Sequence, residues 1–355
     1  MTTTIPGLLT PTEFSEKVLV WYAQYGRKNL PWQRQDAYRV WLSEIMLQQT
    51  QVKTVIPYYY RFTERFPSID ALAQASLDEI LSLWAGLGYY ARARNCHRCA
   101  QWISKHYQGN FPQNLQQLCA LPGIGRSTAG AILALAFNQR ASILDGNVRR
   151  VLCRYAGIYG DITHSQTQQK LWALTEALTP MTNISEYTQA MMDLGATVCT
   201  RSQPNCQHCP LQQHCFAYQQ QQIDCLPTRK NRRLLPEHHK KYLILRNDNQ
   251  QILLVQRPPQ GIWGGLWSLP EYEMDTDLVY HAHQQWGLHI QISNILPVLT
   301  HVFSHFRLHM TPVLAHLPEE FQPSLMDSKG HLWYNLAAPE TIGIPKPVNT
   351  ILRKL

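Results

Sequence analysis

No apolar run in these 355 residues approaches the roughly 20 that a membrane-spanning helix needs; the longest near the middle is Ala131–Phe137. The opening MTTTIPGLLTPTEF also lacks the basic stretch followed by an apolar stretch that marks a secretory leader. Both absences lead to the expectation of a soluble, cytoplasmic chain with no membrane partner. Charge is sparse: Asp, Glu, Lys and Arg make up 16% of residues against 45% apolar, which excludes a disordered, self-repelling chain. There is no internal repeat and no low-complexity tract, so a solenoid is excluded too. Acidic residues are the scarcer sign, 24 against 32 basic, for a net charge of +8. A basic globular chain often meets polyanions. In a reducing compartment the nine cysteines are expected to be free or metal-bound, not paired.

The length suits two domains. Apolar residues recur at three- and four-residue steps in 14–25, 41–55, 77–83, 115–121 and 128–137, predicting a mainly α region over residues 8–225. Breaks fall at Pro31, Pro67, Gly109, Pro112, Pro122 and Asp145-Gly146. Residues 226–240 are rich in Lys and Arg and hold two prolines, the composition of an exposed linker that could also contact DNA backbone or a repair protein. The period then changes. Runs at 242–246 and 251–256 flank Asn247-Asp248-Asn249, a β-hairpin signal, and His301–Leu314 alternates, so residues 241–355 are expected to form an α+β domain.

Cys199, Cys206, Cys209 and Cys215 place four thiols within 17 residues, a metal-site density. A zinc site would usually pair two CxxC knuckles, and the second is missing here; His208 is the alternative zinc ligand. Cys96 and Cys99, spaced as helix neighbours with no second pair, read as packing residues, and so do the single Cys119, Cys153 and Cys225.

Leu121-Pro122-Gly123-Ile124-Gly125-Arg126-Ser127 reads as a tight turn between two helices. The glycines permit close backbone approach, and the second helix, expected to start near Ser127, would offer free amides to a phosphate. The small residues that follow, Ala129-Gly130-Ala131, make the motif more specific than a lone GxG. Glu44 is the one carboxylate in the apolar stretch Val40–Val52, where burial would raise its pKa and suit it to general-acid work. A helix salt bridge is the alternative. Asp145, in Leu144-Asp145-Gly146-Asn147, suits a helix start and can also stabilise a nearby cation.

Taken in order, Trp41–Val52, Gly86–Asn95, the Gly123/Gly125 turn, Leu144–Arg150 and the four cysteines resemble the adenine DNA glycosylases of the MutY family, within the endonuclease III superfamily of helix-hairpin-helix glycosylases. The resemblance spans most of residues 12–220. It implies a helix-hairpin-helix at about 118–137 and a [4Fe–4S] loop at 199–215. It implies a monomer that binds double-stranded DNA and excises adenine opposite 8-oxoguanine or guanine, in the nucleoid of a bacterial-type cell. Glu44 would protonate adenine, Asp145 would stabilise or capture the sugar cation, and Asn147 would bond in the same pocket. Gln49, Thr50, Leu87 and Tyr89 would face the lesion strand, and Gly123, Gly125 and Ser127 the phosphate. Family members that also nick DNA carry lysine where this chain has Ser127, so a monofunctional, water-using enzyme is implied.

Trp263-Gly264-Gly265-Leu266-Trp267 resembles the Nudix fold, but the REuxEE helix that holds magnesium is absent after Glu271. The resemblance gives this domain the reading of 8-oxoguanine, with Phe303, Ser304 and His305 as the recognition loop: an aromatic wedge, a hydroxyl and an imidazole. Two rivals stay open at this point. One is a non-catalytic, DNA-binding redox sensor; the other is a Nudix phosphohydrolase with a helical appendage.

Overall fold

The structure, a computed structural model, describes residues 8–228, 234–317, 330–339 and 341–355. The chain divides into two compact units, Met1–Ala73 with Arg98–Arg232, and Gln74–His97 with Arg233–Leu355. Among the described residues no helix is long and apolar enough to cross a membrane.

The first unit is helical. Its opening helix, Pro11–Tyr25, starts at a capping box in which Thr10 and Glu13 satisfy each other's backbone amides, with Pro11 in the first turn. The helix Ala37–Leu47 is capped by Asp36 and buries Trp41, Leu42 and Met46 completely. Burying side chains of this size contributes roughly 2–3 kcal/mol each. It packs against Arg126–Phe137, whose run Ala129–Ala134 is wholly buried. The small residues there allow close approach: a Cβ on Gly130 would lie 2.3 Å from the Ser142 carbonyl oxygen. A second core forms where Phe14, Val18 and Trp21 meet Val151, Leu152 and Tyr155 of the helix Gly146–Ala156.

The apolar period over 41–55 predicts one helix, but the structure has two. Ala37–Leu47 and Val52–Arg65 are separated by a turn in which Gln49 takes a left-handed backbone (φ 57°). Apolar spacing cannot register such a break when the residues on either side keep phase.

The second unit is built on one mixed sheet. Its strands are β1 (Glu237–Arg246), β2 (Ile252–Gln256), β3 (Trp267–Ser268), β4 (Glu271–Tyr272), β5 (Gln291–Ile295), β6 (Leu299–Val302), β7 (Arg307–His316) and β8 (His331–Tyr334). The main order is β3-β2-β1-β7-β5, with β4 on β1, β6 on β7 and β8 on β2. The hairpin expected around Asn247–Asn249 joins β1 to β2, with Arg246 opposite Ile252. The longest pairing is one that local sequence does not announce: β1 runs parallel to β7 from Glu237↔Arg307 to Arg246↔His316. β1 begins at Glu237, inside the basic segment 226–240; Arg229–Arg233 of that segment lie outside the described residues. The helix Leu278–Trp286 covers one face through Leu278 and Ala282, against Leu243, Leu245 and Val313. The segment Gln74–His97 is helical in period, as expected for the region 8–225, yet it gathers with this sheet. Arg94 donates to the Gly264 carbonyl at 2.7 Å, and a Cβ on Gly343 would meet Leu81 at 2.8 Å.

Candidate active site

The helix Ala37–Leu47 carries Glu44. Its flanking residues Ser43 and Ile45 are buried, and no group among the described residues hydrogen-bonds its carboxylate. Desolvation therefore pushes its pKa up to about 8, with the Asp145 charge adding to the shift. The salt bridge that the sequence left as an alternative has no partner among the described residues.

Asp145 ends an extended strand of chain and caps the helix Gly146–Ala156. Its Oδ1 accepts the Val148 amide at 2.7 Å, and its Oδ2 accepts from Asn147 Nδ2 at 3.3 Å. Burial raises its pKa, while these donors and Arg150 pull the other way. The two carboxylates, a hundred residues apart in sequence, thus sit within electrostatic reach in one unit.

The turn before this helix pair is set by Gly123, whose φ of +78° suits glycine, while Gly125 caps the helix Arg126–Phe137 with no side-chain bond. The first amides of that helix are left to solvent, and no atom lies within 4 Å of where a Gly125 Cβ would be. Ser127 has a task the sequence did not indicate. Its Oγ accepts the Leu144 amide at 3.0 Å, tying the hairpin helix to the residue before Asp145.

Arg150 and Arg154 were missed in the sequence. Arg150 Nη2 donates to Asn147 Oδ1 at 2.8 Å and to the Gly195 carbonyl, and its Nε donates to the Cys199 carbonyl at 2.7 Å. Arg154 is 3% exposed and donates to Cys199 Sγ (3.4 Å), the Thr200 carbonyl (2.7 Å) and the Leu226 carbonyl (2.9 Å). The signal was there: two arginines one turn apart in a largely apolar helix must find buried partners.

Those partners belong to the cysteine loop. The helix Ile184–Asp193 widens into a π turn, Leu194–Val198, that delivers Cys199; Cys206, Cys209 and Cys215 follow on short 3₁₀ turns. All four are partly buried, and their sulfurs interact electrostatically with one another. Burial pushes the Cys209 thiol up to about 12, so thiolates here need a cation. Among the described residues no three of these sulfurs come within 4.8 Å of one another. A 2.3 Å zinc–sulfur bond would set tetrahedral sulfurs about 3.8 Å apart. The wider spacing, the amides of Leu211 and Ala217 aimed at Cys209 and Cys215, and the Arg154 guanidinium on Cys199 all fit a larger thiolate-bound cluster. His208, the alternative ligand, is exposed and bonded to Asn205. Cys96, Cys99 and Cys153 are buried packing residues, as expected; Cys119 and Cys225 are exposed, so packing does not account for them.

Gln49 is exposed in its left-handed turn and Thr50 half-buried beside it. In the second unit Leu87 is buried, and Tyr89 is 46% exposed with φ 50°. Phe303, Ser304 and His305 form the turn between β6 and β7. Phe303 stacks on Phe306 (4.5 Å between ring centroids) and packs on His301 and Trp263, leaving Ser304 and His305 exposed at the tip. Glu271 and Glu273, the carboxylates after the Nudix-like motif, are held by Arg257 and Tyr242 and by Lys240 respectively.

One helical unit thus holds a glycine hairpin whose helix carries no side-chain cap and two partly buried carboxylates, Glu44 and Asp145, and its sequence places it among base excision DNA repair proteins. Residues 42–177 match the HhH-GPD superfamily of base excision DNA repair proteins, and residues 241–354 match the NUDIX domain. The chain is 41% identical to an adenine DNA glycosylase of Buchnera aphidicola subsp. Acyrthosiphon pisum, over 97% of this chain and 98% of that one. It is 36% identical to the adenine DNA glycosylase of Homo sapiens, over 84% of this chain and 66% of that one. A solved thermostable thymine-DNA glycosylase is similar over 59% of this chain and 97% of its own, at 27% identity and a TM-score of 0.54. The chain belongs to the adenine DNA glycosylase family, enzymes that hydrolyse N-glycosidic bonds in base excision repair.

Proposed function

We propose that the chain is a monofunctional glycosylase that removes adenine mispaired with 8-oxoguanine or guanine in duplex DNA. The observation that carries this reading is the Glu44 carboxyl, which has no hydrogen-bond partner among the described residues, whose pKa burial pushes up to about 8, and which lies within electrostatic reach of the second carboxylate, Asp145. Adenine leaves poorly until a ring nitrogen is protonated, and a neutral carboxylic acid can supply that proton. Asp145 then faces the positive charge that builds on the sugar, and Asn147 holds its orientation. With Ser127 in place of a lysine, water completes the reaction and the backbone stays intact.

The amides after Gly125 would grip a phosphate and set register, since phosphate contacts position but do not specify. Gln49, Thr50, Leu87 and Tyr89 would support the opened strand, where a mispair lowers the cost of extruding the base. Ser304 and His305, at an exposed tip, would read the oxidised base, with Phe303 as the packed floor beneath them. Cys199, Cys206, Cys209 and Cys215 would hold a [4Fe–4S] cluster. When bound, it would fix the loop against Arg150 and Arg154. Segment 226–240 would contact other repair proteins, and the enzyme would act as a cytoplasmic monomer on nucleoid DNA.

The test is incubation with duplexes carrying A opposite 8-oxoguanine, G or C, and T opposite G, followed by hot alkali. Strand breaks at A·8-oxoguanine and A·G only after alkali are expected. Breaks before alkali would point to a lyase, and none at all would remove the adenine reading.

A further inference from the structure

The second unit carries a group of side chains that the glycosylase reading does not use. Glu237 and His239 on β1 and His309 on β7 bring a carboxylate oxygen and two imidazole nitrogens within 4.8 Å of one another. The sheet register makes this arrangement. Thr300, His309 and His239 stand in one row across β6, β7 and β1, because Thr300 pairs with His309 and His239 pairs with His309. Glu237 lies two residues before His239, on the same face of the strand. The two imidazoles are now stacked, 4.4 Å between centroids and 14° between planes, so the exposed His239 ring would turn out of the stack for both nitrogens to meet on one ion.

The geometry points to a surface site for a divalent transition-metal ion, zinc(II) first, held by Glu237, His239 and His309 at the β1–β7 seam. His309 is oriented for it: its Nδ1 is bonded to Thr300 Oγ1 at 3.0 Å, which leaves Nε2 facing the group. That Nε2 is buried and has no hydrogen-bond partner; it lies 3.4 Å from Glu237 Oε2, long for a hydrogen bond. Two imidazoles and a carboxylate match the nitrogen and oxygen preference of zinc, and three protein ligands leave a fourth position for water. Copper(II) would bind more tightly and nickel(II) comparably, following the usual order for divalent ions. Arg307 now neutralises Glu237 across 3.1 Å. Both partners are about half exposed, and such pairs contribute little, so an ion can take the carboxylate from it. The ion would staple the first residues of β1, at the end of the basic segment 226–240, to the first residues of β7, just after the Phe303–Phe306 turn.

The test uses the full chain with its cysteine loop loaded and free zinc removed by a chelator. Zinc(II) is titrated calorimetrically into the wild type and into Glu237→Gln, His239→Ala, His309→Ala and, as a control away from the group, His281→Ala. Expected is one zinc per chain, with affinity lowered about tenfold or more by each of the first three changes and unaltered by the fourth. Copper(II) bound in the same place should show electron-spin coupling to two imidazole nitrogens, and to one in His239→Ala. Should His309→Ala misfold, the exposed positions 237 and 239 decide alone. Zinc titrations indistinguishable from wild type in Glu237→Gln and His239→Ala overturn the site.

Discussion

Arg150 reaches the Cys199 carbonyl with Nε and the Asn147 amide oxygen with Nη2, at 2.7 and 2.8 Å, so one guanidinium connects the cysteine loop to the partner of Asp145. A lysine has the charge but not the fork. Arg150→Lys should therefore lower stability by about 1–3 kcal/mol. It should also reduce iron content and adenine release together. Normal iron with lost activity would show that the two ends are not coupled through this residue.

Glu44 gives a pH signature. Its folded pKa lies above its unfolded one, so the folded chain holds an extra proton between about pH 4.5 and 8. Stability from this group is full below that window and falls as pH rises through it. Glu44→Gln should gain on the wild type as pH rises through that window, by up to about 5 kcal/mol at pH 8.5 (about 3.5 pH units at about 1.4 kcal/mol each), and be nearly equal at pH 4.5. Thermal melts at the two pH values check this. Adenine release should disappear in the variant while duplex binding persists; in the wild type it should decline above pH 8.

Asp145 caps a helix and, in the proposed function, also faces the sugar cation; one pair of variants separates the two. Asparagine caps helices as well as aspartate, so Asp145→Asn should melt within about 0.5 kcal/mol of wild type. Its turnover should fall about a hundredfold or more, as expected for losing a charge aimed at a developing cation. Asp145→Ala should lose turnover and about 1 kcal/mol of stability as well. Equal turnover in Asp145→Asn would leave the residue only its cap.

Ser127→Ala strands the amide of Leu144, a residue 2% exposed. The expected cost is about 1–3 kcal/mol, from an unmet buried donor. Denaturant unfolding measures it, and a change below a few tenths would mean that water replaces the hydroxyl.

The turn between β6 and β7 should divide its labour. Phe303→Ala should destabilise the second domain, because the ring is stacked on Phe306. His305→Ala should leave melting unchanged and narrow the preference for A·8-oxoguanine over A·C duplexes. A competition assay between the two duplexes reads it.

Helix-forming stretches, the glycine turn and the cysteine spacing were legible because each is local: a period, a φ requirement, a ligand interval. Glu44 was legible as a chemical oddity, a lone carboxylate among apolar neighbours. What stayed hidden was set by partners far along the chain. The parallel pairing of β1 with β7 joins residues about seventy positions apart, and no strand announces its neighbour. Ser127 looked like an open hydroxyl at a phosphate turn until Leu144 proved to hold it. Phe303 reads as a wedge by sequence, but its ring is enclosed by Trp263, His301 and Phe306, of which only the last two lie nearby in the chain.

A carboxylate that ends a helix has given up its torsional freedom. Asp145 is pinned through Oδ1 to the Val148 amide and through Oδ2 to Asn147, so it cannot swing out to meet a sugar. In the proposed function the nucleotide would travel the whole distance and arrive in register. Selectivity would then depend on delivery: a base not fully extruded would meet no catalyst, however briefly the duplex opens.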